Sequence, residues 1–238
     1  MINFTFGDNN FNAVAGADGF VLGRVGFLTP DREYRSEKIP GRNAPLTIVG
    51  GRWETVEGYY QCFIQSGYDA KKNDVQFWLD KYGGAFTRLE DTAEPTIYRV
   101  ARFKNPIREV KVLHGDIARF DVYFECSAER WLKSGATATT VTSGSTIANP
   151  TAFNSLPRIR VNGSGDFTMT INGKTMSFTD NNSGITIDSE ICRAYNGSTP
   201  KDSSMTGDFP VLVPGDNTIS WSGSGITSVT VTPRWWTI

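Results

Sequence analysis

A break in composition near Lys133 constrains this chain more than any single motif. Serine and threonine number 10 in residues 1–133 and 33 in residues 134–238. Charged residues move the opposite way, from 36 (18 basic, 18 acidic) to 13 (6 basic, 7 acidic). One uniform domain would not change its surface chemistry so sharply, and 238 residues leave room for two domains of about 100–150 each. The sequence therefore predicts a first domain over residues 1–133 and a second over 147–238. Residues 134–146, SGATATTVTSGST, hold almost no side chain able to build a core and lead to the turn starter Asn149-Pro150. They read as a linker or an exposed edge strand.

The first part shows one stretch of helical periodicity. Val75, Trp78, Leu79 and Tyr82 recur at i, i+3, i+4 and i+7, which places them on one face of a helix over about residues 70–82. Asp69 is expected to cap its start and Gly83-Gly84 to end it in the left-handed region. Elsewhere the pattern is strand-like. In Ala118–Cys126, Val122, Phe124 and Cys126 share one face and Arg119, Asp121, Tyr123 and Glu125 the other, the signature of a half-buried antiparallel strand. Ile107–Leu113 alternates similarly, with His114-Gly115-Asp116 as the turn between the two strands. Pro40-Gly41 fits the centre of a type II turn.

The second part reads as short strands with frequent turns: 158–161, 167–171, 175–179, 185–188, 191–195, 218–221 and 228–232. Asn172-Gly173 between two alternating runs is the strongest hairpin signal, since both central residues of a type I′ turn need positive φ. Such spacing, with abundant β-branched threonine, predicts a β-sandwich or jelly roll. The fold class is thus all-β, two sandwich domains, the first with one α-helix.

Chemistry is sparse. Twenty-four basic residues are matched by 25 acidic ones, without the dense basic run that a nucleic-acid clamp needs. One histidine, His114, and no G-x-S-x-G elbow argue against triad hydrolysis, and the sequence predicts no enzyme and no cofactor. Cys62, Cys126 and Cys192 lie far apart without histidine partners, so neither a zinc site nor a disulfide framework is expected, and they read as buried reduced thiols. No secretory signal or membrane span is expected. Asp188 and Glu190 share one side of a strand, and Glu90-Asp91 with Thr92 and Glu94 forms an acidic cluster; solvated faces are the simpler reading than glycoside hydrolysis or cation binding. Trp221, Trp235 and Trp236 raise a second possibility, an aromatic platform for sugars. Alternation sends Trp235 and Trp236 to opposite faces, so at most one belongs to the core and the other is free for a glycan or partner contact.

Several motifs, in order, resemble the distal tail proteins of long, non-contractile-tailed bacteriophages. Ile39-Pro40-Gly41-Arg42-Asn43 is similar to that family's hairpin motif. Leu89-Glu90-Asp91-Thr92, Glu94-Pro95 and Tyr98-Arg99-Val100-Ala101 are similar to its L-x-D-T-x-x-P-x-x-Y-R segment. Asn149-Pro150-Thr151 with Ser155-Leu156-Pro157 matches the entry to its second domain. Ile187-Asp188-Ser189-Glu190, Gly207-Asp208-Phe209-Pro210, Leu212, Pro214-Gly215, Asn217, Ile219-Ser220-Trp221-Ser222-Gly223 and Pro233-Arg234-Trp235 follow within it. One departure stands at Cys126-Ser127-Ala128, where the family often carries Cys followed by Lys-Pro.

The resemblance implies a tail-tube-like first domain that assembles as a hexameric ring around a DNA channel, and a galectin-like or jelly-roll second domain outside the ring. It implies a structural hub of the virion, made and assembled in the bacterial host cytoplasm. Its partners would be its own copies, the tail tube protein, the tape-measure protein and the tail-associated or baseplate proteins. No catalytic, metal or cofactor residues carry over. DNA would pass without specific binding, and a neutral or acidic lumen is expected, because a cationic one would arrest the phosphates. The alternative is a carbohydrate-binding module that attaches to the host surface through the second sandwich.

Overall fold

The computed structural model describes residues 2–104, 107, 110–113, 116–179 and 183–238. It divides into two compact units, one ending at Arg130 and one spanning Trp131–Thr237.

In the first unit the chain runs through β1 (Phe4–Phe6), β2 (Asn9–Asn10), α1 (Phe11–Ala15), β3 (Gly19–Gly26), β4 (Arg32–Glu37), β5 (Leu46–Trp53), β6 (Val56–Ile64), α2 (Tyr68–Asp80), β7 (Thr87–Asp91), β8 (Ile97–Phe103), β9 (Lys111–Leu113) and β10 (Ile117–Leu132). One sheet of order β2-β1-β7-β8-β10-β6-β3 curls until Ile2 bridges Val21 in β3. Its inner face is aromatic: Phe4 stacks on Tyr60 with centroids 4.3 Å apart, beside Phe6, Phe11 and Phe124. The expected alternation places Val122, Phe124 and Cys126 inside. Helix α2 buries Val75, Trp78 and Leu79 against this core, with Tyr82 packed at its edge, and Trp78 Nε1 donates to the Phe6 carbonyl at 3.2 Å.

Some expectations change. Asp69 does not cap α2: the N-cap is Gly67 (φ 71°), and the Asp116 carboxylate accepts the Asp69 N–H at 2.7 Å. Two further short helices occur, α1, capped by Asn10 Oδ1 on the Ala13 N–H, and α3 (Lys133–Ala136), both too brief to show a period in sequence. The strand expected over 107–113 is described at Lys111–Leu113, and His114, expected in its turn, lies outside the described residues. Gly83 and Gly84 do take positive φ, 57° and 78°, after the helix.

The second unit contains α3, β11 (Thr139–Val141), β12 (Ser145–Asn149), β13 (Arg158–Gly163), β14 (Phe167–Ile171), β15 (Lys174–Phe178), β16 (Ile185–Asp188), β17 (Arg193–Asn196), β18 (Thr199–Pro200), β19 (Met205–Thr206), β20 (Gly215–Ser222), β21 (Ile226–Thr232) and β22 (Trp236–Thr237). Two antiparallel sheets, β11-β21-β13-β16-β17-β18 and β12-β20-β14-β15-β19, enclose Ile159, Val161, Met169, Phe178, Ile187, Ile219 and Val231. Residues 134–146, expected as a linker or edge strand, contribute most of α3, the edge strand β11 and the start of edge strand β12. Asn172 and Gly173 sit at φ 52° and 78°, as a type I′ turn requires. The strand expected over 191–195 begins at Arg193, because Cys192 turns through φ 50°. Cys192 is also exposed, unlike the buried, unpaired Cys62 and Cys126.

Candidate assembly surface

Strands β4 and β5 form a two-stranded ribbon outside the curled sheet, and all but one residue in each strand is exposed. At its tip Pro40-Gly41 makes the expected turn: Gly41 has φ 81° and the Arg42 N–H reaches the Ile39 carbonyl at 3.1 Å. A lone hairpin is marginal in water. This one nevertheless displays Tyr34 (68% exposed), Ile48 (49%) and Val49 (56%), with Ile39 and Leu46. Tyr34 lies opposite Val49 on one face and Arg35 opposite Ile48 on the other, so neither face is purely polar.

The ribbon leaves the body beside a charge cluster. Glu94 pairs with Arg24 and Arg130 and accepts from Arg99 Nη2 at 2.9 Å; Asp91 lies 3.1 Å from Arg24 Nε and accepts the Tyr60 hydroxyl at 2.7 Å. Burial, reinforced by the Asp91 charge, drives the Tyr60 phenol upward, so it remains a donor. Asp91 Oδ1 also accepts the Ala93 and Glu94 N–H groups, closing the loop of the L-E-D-T-A-E-P stretch. The acidic cluster is thus occupied by guanidinium groups instead of offering a cation an open oxygen cage. Phe27, at φ 56°, lies under Arg24 and Arg99, 4.9 and 5.4 Å from its centroid. Its ring occupies the space where a Cβ on Gly58 would stand, 2.5 Å away. Sequence reading missed this node because its members are up to 106 residues apart, Arg24 to Arg130.

In the second unit the motif residues fasten one another. Asp188 receives Arg234 through both oxygens, at 2.6 and 2.8 Å, and Glu190 lies 3.1 Å from the same guanidinium. Burial pushes the Asp188 carboxyl up, but the Arg234 hydrogen bonds and charge outweigh it and hold the group below the usual carboxylate range. A general acid needs the opposite shift. Fully buried Asn217 donates to the Val213, Gly215 and Ile147 carbonyls and accepts from the Val213 N–H and Asn172 Nδ2. Asn149 and Thr151 likewise bond each other and the Phe153 carbonyl.

Trp235 is 4% exposed and belongs to the second core. Trp236 is half-buried: its ring stacks on Phe153 at 4.4 Å and its Nε1 donates to the Asn154 carbonyl at 2.9 Å. Trp221 packs at the core edge. The three tryptophans do not converge into one flat platform.

No protein-family model and no curated protein matches the sequence. Solved structures do. The chain shares its fold with the SPP1 Dit (gp 19.1) protein, described as a paradigm of hub adsorption apparatus in phages infecting Gram-positive hosts, with a TM-score of 0.69 and 11% identity over 100% of both chains. Two structures of the phage p2 baseplate in its activated conformation, with strontium and with calcium, match at TM-scores of 0.52 and 0.54 and 8% identity, covering 97% of each chain. At such identities the likeness is one of fold, and it is the two-domain, all-β fold implied by the resemblance to phage distal tail proteins.

Proposed function

We propose that this protein is a structural hub of a phage tail tip, in which six copies close a ring through the first domain, join the tail tube to the baseplate and leave a channel for DNA. The observation that carries this reading is the β4–β5 ribbon, whose apolar residues Tyr34, Ile48 and Val49 stand about half or more exposed among the described residues. A surface of that kind calls for a neighbouring subunit. The fold of hub and baseplate proteins over both domains supports the assignment. The interlocked motif residues support it too, because they fasten turns and chain crossings and present no reacting group.

In this reading the second domain, with edge strand β11 and the start of edge strand β12 that residues 134–146 supply to it, is an appended sandwich outside the ring. The tail tube, tape-measure and tail-associated proteins are the other partners, and the protein resides in the virion after synthesis in the host cytoplasm. The lumen is built from the first domain and is neutral or acidic, so that DNA slides. Trp236 is the residue of the tryptophan pair left to contact a glycan or partner.

Light scattering and negative-stain microscopy of the purified protein, alone and with the adjoining tail protein, test the proposal. Six-fold rings or stacks of them are expected. A monomer at every concentration in both samples, or a density map with a pore lined by lysine and arginine, would overturn it or its channel clause respectively.

A further inference from the structure

The two outer faces of the second sandwich differ in charge. On the β12-β20-β14-β15-β19 sheet, Ser222, Thr168, Ser177 and Thr206 form one cross-strand row and Ser220, Thr170 and Thr175 another, without a charged group in either. The opposite sheet is cationic. Residues 134–238 contain six basic side chains, and three of them, Arg158, Arg160 and Arg193, stand on strands β13 and β17 of that sheet, with Arg234 just past β21. Arg193 is paired with Asp202 at 3.0 Å and Arg234 with Asp188. Arg158 and Arg160 have no carboxylate within 4 Å among the described residues. Ile159 between them is buried, so both leave the outer face, about 7 Å apart along β13.

Arg160 is built into this face. Its Nε donates to Asn162 Oδ1 at 3.0 Å, and its Nη1 donates to Thr186 Oγ1 and Asn196 Oδ1 at 3.3 Å each. Asn162 is fixed in turn by donating to Ser228 Oγ at 2.9 Å. These bonds orient the guanidinium and leave Nη2 without a partner among the described residues. Gly184, at φ 86°, packs close by: a Cβ there would stand 2.8 Å from the Val161 carbonyl and 3.0 Å from Nη2. Strand register then lays Thr140, Thr230, Arg160, Thr186 and Tyr195 in one row over five strands, about 19 Å long.

From this arrangement we infer that the outer face of the β13 sheet binds a saccharide bearing an anionic group, a phosphate or a carboxylate. Arg158 and the oriented Nη2 of Arg160 meet the charge. Sugar hydroxyls donate and accept, which matches the flanking hydroxyls of Thr140 and Thr230. Tyr195 offers an aromatic ring at the end of the row. A nucleic acid would demand more cations than this face holds. The inference stands apart from the hub reading, because ring closure is assigned to the first domain.

Calorimetric titration of the full chain with glucose 1-phosphate, trigalacturonate, maltotriose and inorganic phosphate tests it. The first two should bind, and Arg160→Ala should weaken them about tenfold, the weight of one charge-assisted contact. Arg158→Ala should weaken them less and reduce the salt dependence, whereas Thr170→Ala on the hydroxyl face should change nothing. No binding by either charged sugar, maltotriose binding as tightly as both, or phosphate alone matching glucose 1-phosphate would each overturn the inference. So would unchanged affinity in Arg160→Ala. If that variant melts early, Arg158→Ala and Asn196→Ala decide, and unchanged affinity in both overturns it. Ring assembly measured on the same samples separates this outcome from any failure of the hub reading.

Discussion

Replacing Ile48 and Val49 together with aspartate should abolish assembly while sparing the fold of the subunit. The two side chains are 49% and 56% exposed and lie outside both cores. Exposed substitutions of this kind change stability by about 0.5 kcal/mol or less each. Full burial of a valine or isoleucine is worth about 1.5–3 kcal/mol, and roughly half of that remains to be gained when a neighbour covers the ribbon. The double variant therefore forfeits about 2 kcal/mol per contact. Each carboxylate, taken from water without a partner, adds about 1–3 kcal/mol. The sum, about 4–8 kcal/mol, corresponds to roughly a thousand-fold to a million-fold weaker association. Size-exclusion chromatography with light scattering reads the assembly, and thermal unfolding reads the subunit. If the parent forms rings and the double variant forms them at the same concentration, the reasoning about the ribbon is wrong.

Other perturbations probe the interior. Glu94→Ala leaves Arg24, Arg99 and Arg130 without their shared carboxylate and should cost about 2–4 kcal/mol in denaturant unfolding, the lower end reflecting its partial exposure; a loss under about 0.5 kcal/mol would mean the node is decorative. Because the Asp188 carboxyl is held below its unfolded value, its contribution is full above about pH 4 and is lost as pH falls through the lower folded value. Asp188→Asn should thus lower stability at pH 7 by about 1–3 kcal/mol and flatten the acid limb of the second unit's melting curve, and an unchanged limb counts against the Arg234 pairing. Gly173→Ala meets no neighbour but holds φ at 78°, so a loss of about 1–2 kcal/mol should appear as a lower melting temperature. Iodoacetamide should label Cys192 alone in the native protein. Burial raises the Cys62 thiol and pushes Cys126 up to about 12, and mass spectrometry of the labelled peptides would expose any early reaction at either.

What the sequence reveals depends on how local the governing physics is. Pro40-Gly41 and Asn172-Gly173 are legible because φ preference is written in adjacent residues, and Val122, Phe124 and Cys126 because alternation is. The start of α2 is not, since its N-cap is a glycine and the carboxylate that accepts its Asp69 N–H belongs to Asp116, 47 residues further along. Strands β4 and β5 are legible only through the turn between them and its likeness to a hairpin motif, because a ribbon exposed on both faces carries no period-two burial code. The carboxylates were visible as clusters, but their meaning lay in distant arginines, Arg24 for Asp91 and Arg234 for Asp188. For the adjacent tryptophans, alternation allowed at most one into the core without saying which. Trp235 is that one, and its backbone N–H would stand 2.2 Å from a Cβ on Gly135.

The Asn172-Gly173 turn also bears on chemical ageing. An asparagine followed by glycine is the sequence most prone to deamidation, because the small next residue lets its backbone nitrogen attack the side-chain amide carbon and close a succinimide. Here the Asn172 amide is held at both ends: Nδ2 donates to Asn217 Oδ1 at 2.7 Å and Oδ1 accepts the Thr218 N–H at 3.1 Å. Cyclisation would have to break both bonds and disturb the fully buried Asn217. The residue pair that makes this two-residue hairpin is thereby held away from the geometry of its own cyclisation, so the fold opposes at this position a reaction that the bare sequence invites.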